Sequence, residues 1–117
     1  WAILSGYAGV HQFCKIGAHA FIGMYTSLTQ DVPPYVLFSG NPAGARGVNL
    51  EGLKRRGFTR EQLDGIRSAY KLLYRSNLTL EEAKTALQAE EERLPAASAD
   101  IRLLREFLGT ATRGIVR

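Results

Sequence analysis

A parallel β-helix followed by a small helical bundle is the fold this sequence predicts, on three observations. Aliphatic residues recur every six positions, at Leu4, Val10, Ile16, Ile22 and Leu28. A proline pair, Pro33 and Pro34, closes that pattern. Beyond residue 58 the apolar spacing switches to the 3.6-residue period of amphipathic helices, opened twice by a capping box.

Two positions before each aliphatic stands a small residue: Ala2, Ala8, Cys14, Ala20 and Thr26. Period six suits neither a helix nor the plain alternation of a hairpin strand. It suits a short strand, a corner and another short strand, with three such segments to a triangular coil and coils stacked about 4.8 Å apart. The aliphatic then points inward and the small residue lets the chain turn. A Gly- and Ala-rich loop is the competing reading. Residues 1–34 read as the last coils, of which residues 1–30 supply little more than one and a half, and solenoid units bury their faces only against neighbours. Further coils are therefore expected upstream, and the apolar start at Trp1, with no cap or leader, reads as a chain cut from something longer.

The two prolines remove ladder donors and force an extended exit. Residues 35–58, rich in glycine, read as a connecting loop with one or two short strands. Residues 59–117 read as helices. Thr59 with Gln62 opens the first, lined by Leu63, Ile66, Tyr70, Leu73 and Tyr74 as far as Arg75. Thr79 with Glu82 opens the second, with Ala83, Ala86 and Leu87 inward until Pro95. Ser98 or Asp100 caps a third, carrying Ile101, Leu104, Phe107 and Leu108 and stopped at Gly109.

The 117 residues are 45% apolar and 22% charged, which excludes a disordered chain and leaves a globular one. The lone Cys14 excludes an internal disulfide, and a reducing compartment fits it best. No stretch reads as a signal peptide or membrane span. The formal charge of +4 favours an acidic partner. Nucleic acid fits poorly, because no aromatic platform is interleaved with the cations and the helical part balances ten basic residues against nine acidic.

Histidine is the first candidate for chemistry near neutral pH. His11 follows the inward Val10, so its ring is expected on the outer surface; His19 reads as structural. Neither has a neighbouring carboxylate in sequence to orient it, and the His and Cys spacings match no zinc site. The second candidate is "GVNLEGLKRRGF", residues 47–58. Lys54, Arg55 and Arg56 lie between glycines, Arg offers a planar fork to phosphate oxygens, and Asn49 and Glu51 carry groups able to read a base edge. A solvated basic turn is the alternative. Met24, beside Gly23 at a corner, is expected to point outward.

The hexapeptide run, "VHQFCKIGAHAFIG", "QDVPPYV", "GVNLEGLKRRGF", "AYKLLYRS" and the terminal "TRGIVR" together resemble the C-terminal part of the UDP-N-acetylglucosamine acyltransferases of lipid A biosynthesis. The resemblance implies a left-handed β-helix, a cytoplasmic homotrimer, and transfer of a 3-hydroxyacyl group from acyl carrier protein to the 3-hydroxyl of UDP-N-acetylglucosamine. It implies no metal and no separate cofactor. Asn49 and Glu51 match uracil-recognition positions, Arg55 and Arg56 the phosphate-contacting pair, and His11 and Gln12 a pair lining the acyl and sugar cleft between subunits. Met24 matches the residue that limits acyl-chain length. The family's catalytic histidine and adjacent aspartate belong to coils upstream of Trp1, so no catalytic residue is expected in this chain, which alone is expected to be inactive. Two alternatives remain: an N-acyltransferase acting later in the same pathway, and a non-catalytic module for trimerisation and carrier binding.

Overall fold

The computed structural model describes residues 1–111 and 114–117, so the first two residues of "TRGIVR" lie outside the described residues. Among the described residues six strands are followed by four α-helices. The strands are β1 (Ile3–Leu4), β2 (Gly9–Val10), β3 (Phe21–Ile22), β4 (Ser27–Leu28), β5 (Val36–Ser39) and β6 (Gly44–Val48). The helices are α1 (Leu50–Arg55), α2 (Arg60–Tyr74), α3 (Leu80–Arg93) and α4 (Ser98–Thr110), with a 3-10 turn at Pro95–Ala97.

The strands stack in parallel at the repeat the period predicts. Ile3 pairs with Phe21 and Gly9 with Ser27, each eighteen residues on, which is three six-residue sides. Turns fall at Gly6–Tyr7, Gln12–Phe13, Ala18–His19 and Met24–Tyr25. The second residue of each is left-handed, with φ of 59°, 67°, 59° and 56°. The corners therefore sit later in the repeat than the small residues. Those small residues face inward instead: Ala20 and Thr26 are buried, and the Thr26 hydroxyl donates to the Gly23 carbonyl at 2.7 Å. They are small because the coil interior is narrow there.

Stacking does not stop at the prolines. β5 lies parallel on β3, pairing Phe21 with Leu37, and β6 returns antiparallel to β5. Gly17 makes this possible, since a Cβ there would stand 2.4 Å from the Pro34 nitrogen. Ile22, Leu28, Val32, Val36 and Phe38 fill the interior, joined by Tyr70 of α2. At the open end the same inward phase is uncovered: Leu4 is 48% exposed where Ile22 is fully buried.

Both predicted capping boxes are present, Thr59 with Gln62 and Thr79 with Glu82. Leu63, Ile66, Leu73, Ala83, Leu87, Ile101, Leu104 and Leu108 form the helical core, with Tyr35 reaching in from the strand side. Two expectations need correction. α4 starts after Ala97 without a side-chain cap and runs through Gly109 to Thr110. Asp100 is occupied elsewhere: its Oδ2 accepts from Gln62 Nε2 at 3.0 Å and its carbonyl from the Tyr35 hydroxyl at 2.9 Å. The second correction is α1, six residues within the segment read as loop.

Glu91 of α3 is buried and accepts from Arg102, at 3.1 Å, and from Arg105 of α4. Arg105 first, then Arg102, holds its carboxyl below the ordinary 4.5. Because the folded value is depressed, this contribution to stability is present above about 4.5 and is lost as the pH falls through the folded value. Glu91→Gln in the complete polypeptide is expected to cost about 1–2 kcal/mol at neutral pH and to flatten the acid side of the stability profile. Urea denaturation from pH 3 to 7 measures both; an unaltered profile would dismiss the pair as a stabilising link.

Candidate functional site

The loop from β6 into α1 folds back over the first strands. Asn49 anchors it. Its Oδ1 accepts from the Gly52 amide at 3.3 Å, capping α1, and its Nδ2 donates to the His19 carbonyl at 3.0 Å. A side chain on Gly52 would stand 2.5 Å from that amide, so glycine is required inside this short helix. The Asn49 backbone N–H also donates to the Tyr35 carbonyl at 2.7 Å. A residue expected to read a base edge is thus tied to both sides of the loop, with 5% of its surface exposed.

Between loop and strands lies a cavity of about 670 Å³. Asn49, Glu51, Arg55 and Arg56 line one side; Trp1, Ile3 and Phe21 line the other. Four of the predicted residues therefore meet in one concavity with an apolar wall. Arg55 is exposed, whereas Arg56 is half-buried and held. One of its terminal nitrogens lies 2.8 Å from His19 Nδ1, and its guanidinium carbon is 5.1 Å from the Trp1 ring centroid. Lys54, third of the cation run, faces a different concavity with Arg60 and Asp64.

His19, read from the sequence as structural, stands behind Arg56 at this cavity. Its ring stacks on Tyr35 with centroids 6.1 Å apart and meets Phe58 edge-on at 5.0 Å. Burial first, then the charge of Arg56, pulls its pKa below 6.5. A signal existed: His19 shares the six-residue phase of Tyr7, Phe13 and Tyr25, which are also left-handed corners.

The model of one protein family, UDP-N-acetylglucosamine O-acyltransferase domain 2, matches residues 31–116. The chain belongs to this acyltransferase family. It is 54% identical over its full length to the acyl-[acyl-carrier-protein]--UDP-N-acetylglucosamine O-acyltransferase of Janthinobacterium sp. (strain Marseille), and 52% to that of Herminiimonas arsenicoxydans, covering 45% of each. Among solved structures, the UDP-N-acetylglucosamine O-acyltransferase of Moraxella catarrhalis matches with a TM-score of 0.92 at 38% identity, over 99% of this chain and 44% of that one. The Arabidopsis acyltransferase matches with a TM-score of 0.83 at 39% identity, over 99% and 42%. The chain thus spans less than half the length of these relatives.

Three other residues singled out in the sequence lie outside the cavity lining. His11 and Gln12 are exposed at the open end of the coil, with His11 Nδ1 3.1 Å from the Gln12 carbonyl. Met24 is 60% exposed at its corner, pointing outward as expected. Among the described residues, no helix is long and apolar enough to cross a membrane.

Proposed function

We propose that this chain is the C-terminal part of an acyltransferase that moves a 3-hydroxyacyl group from acyl carrier protein to the 3-hydroxyl of UDP-N-acetylglucosamine. The cavity carries this reading. Its volume suits a nucleotide sugar, its two arginines suit a diphosphate, and Asn49, Glu51, Trp1 and Phe21 offer edge and face contacts for a base. The uncovered inward face of β1 and β2 supports further coils of a left-handed β-helix stacked upstream.

In this reading the sugar hydroxyl attacks the thioester carbonyl, the C–S bond breaks and the carrier thiol leaves. The base that removes the hydroxyl proton comes from upstream coils, as the family resemblance implies; among the described residues His11 forms no ion pair with a carboxylate, and its Nδ1 lies beside the Gln12 carbonyl. His11 and Gln12 line the acyl and sugar cleft from a neighbouring face of a cytoplasmic homotrimer. The reaction needs no metal or added cofactor. The net positive charge suits an acidic carrier protein.

Met24, outward at its corner, closes the far end of the acyl groove between subunits. The complete polypeptide is expected to transfer short 3-hydroxyacyl groups from the carrier to UDP-N-acetylglucosamine. Met24→Gly is expected to extend the preference to longer chains, by roughly fourfold per added methylene that becomes buried. An assay with carriers of graded acyl length measures this. No transfer to the nucleotide sugar would reject the function, and an unmoved profile would reject Met24 as the length limit.

A further inference from the structure

Arg56 is oriented without being neutralised. Among the described residues no carboxylate forms an ion pair with it. Its short contact is to an imidazole nitrogen, at 2.8 Å. A guanidinium has only donors, so Nδ1 of His19 is the acceptor and the ring proton sits on Nε2. A carboxylate in that place would hold the arginine and also cancel the charge an anionic ligand needs; an imidazole acceptor holds it and leaves the charge whole.

The imidazole is itself immobilised. The left-handed corner at His19 aims the ring across the loop, Tyr35 and Phe58 pack on it, and the His19 carbonyl takes the Asn49 amide. Tyr35 is fixed in turn, its N–H to the Ala18 carbonyl at 2.9 Å and its hydroxyl to the Asp100 carbonyl. Trp1 covers the guanidinium from another side. Strand corner, loop and helix α4 are thereby linked to one cation at the cavity wall.

We infer that His19 is a positioning residue for nucleotide binding: its Nδ1 holds the Arg56 guanidinium in the orientation that meets the diphosphate. The inference rests on the nucleotide site proposed above. Protonation of Nδ1 removes the acceptor and sets two cations side by side. The groups facing His19 divide accordingly: Arg56 opposes its protonation, Asp100 of α4 favours it, and Tyr35, Phe58 and Asn49 are uncharged near neutral pH. The hold is therefore intact at neutral pH and fails on acidification below His19's ordinary 6.5.

Three variants of the complete polypeptide, His19→Phe, His19→Asn and Arg56→Ala, test this by calorimetric titration with UDP-N-acetylglucosamine, whose diphosphate does not titrate between pH 5 and 8. His19→Phe keeps an aromatic ring at a corner type that Phe13 already occupies, but removes the acceptor. It is expected to weaken binding about tenfold. Combined with Arg56→Ala it is expected to add nothing further, because both losses pass through one guanidinium. His19→Asn tolerates the left-handed corner and places an amide oxygen near Nδ1, so it is expected to bind as wild type at pH 7.5 and to lose the acid-side decline. Wild-type affinity in His19→Phe, or losses that multiply in the double variant, would overturn the role of His19 and leave the nucleotide site standing. If His19→Phe does not fold, a wild-type acid decline retained in His19→Asn overturns it instead. Absence of binding by the wild type itself would overturn both.

Discussion

Replacing Gly65 by valine is expected to unfold the helical half of the molecule under mild denaturation. Gly65 lies on the buried face of α2, where a Cβ would stand 2.2 Å from the Ala97 Cβ and 3.8 Å from Ile101 Cδ1. Neither neighbour can yield cheaply. Ala97 closes the 3-10 turn after Pro95, and Ile101 is fully buried in the helical core. Alanine in a helix gains about 1 kcal/mol over glycine, too little to offset such an overlap, and valine gains less while adding two methyl groups. The expected cost is about 3 kcal/mol or more for Gly65→Val and about 1–2 kcal/mol for Gly65→Ala. Urea midpoints of the complete polypeptide measure it. Ala97→Gly should restore part of the loss in the double variant, since the two positions share one contact. Equal midpoints for Gly65→Val and wild type would refute close packing of α2 on the turn.

Arg56→Ala is expected to produce the largest functional loss, about a hundredfold in affinity for the nucleotide sugar. Arg55 and Arg56 are adjacent and identical in type, yet only Arg56 is held, by His19 and Trp1, before any ligand arrives. A pre-oriented donor gives up less side-chain entropy on binding than a solvated one. Arg55→Ala is therefore expected to cost several-fold less. Arg56→Lys should recover little, because an ammonium cannot lie flat on Trp1 or present a planar fork. Titration calorimetry and kcat/KM at saturating acyl carrier separate these variants. Equal losses at positions 55 and 56 would count against pre-orientation as the distinguishing factor.

These two predictions differ in how far the sequence announces them. "GLKRRGF" displays its cations openly, and their separation into one exposed and one anchored arginine appears nowhere in that string. α1 is hidden for a similar reason. It is too short for a 3.6-residue pattern to register, and Gly52 lowers its helical propensity. Asn49 reads in the string as a ligand-reading side chain alone, and its second role as the cap of α1 appears only with the Gly52 and His19 contacts. Asp100 failed as a predicted cap because capping strength is a local property, whereas Gln62 competes for its carboxylate from 38 residues away. The left-handed corners at Tyr7, Phe13, His19 and Tyr25 were present as a phase but masked by residue type, since aromatic side chains rarely signal positive φ.

Local order alone settled the repeat of six, the two capping boxes and the helical faces behind them. Each depends on residues within a few positions of one another, and each repeat meets the same surroundings as the last. The site follows a different rule. His19, Asn49 and Arg56 come together because the stacked coils bring a corner beneath a loop that begins nearly thirty residues later, and the Tyr35 carbonyl clasps that loop to the stack. Stacking geometry sets which corner faces which loop, so a histidine that looks inert along the chain becomes the partner of the arginine at the cavity wall.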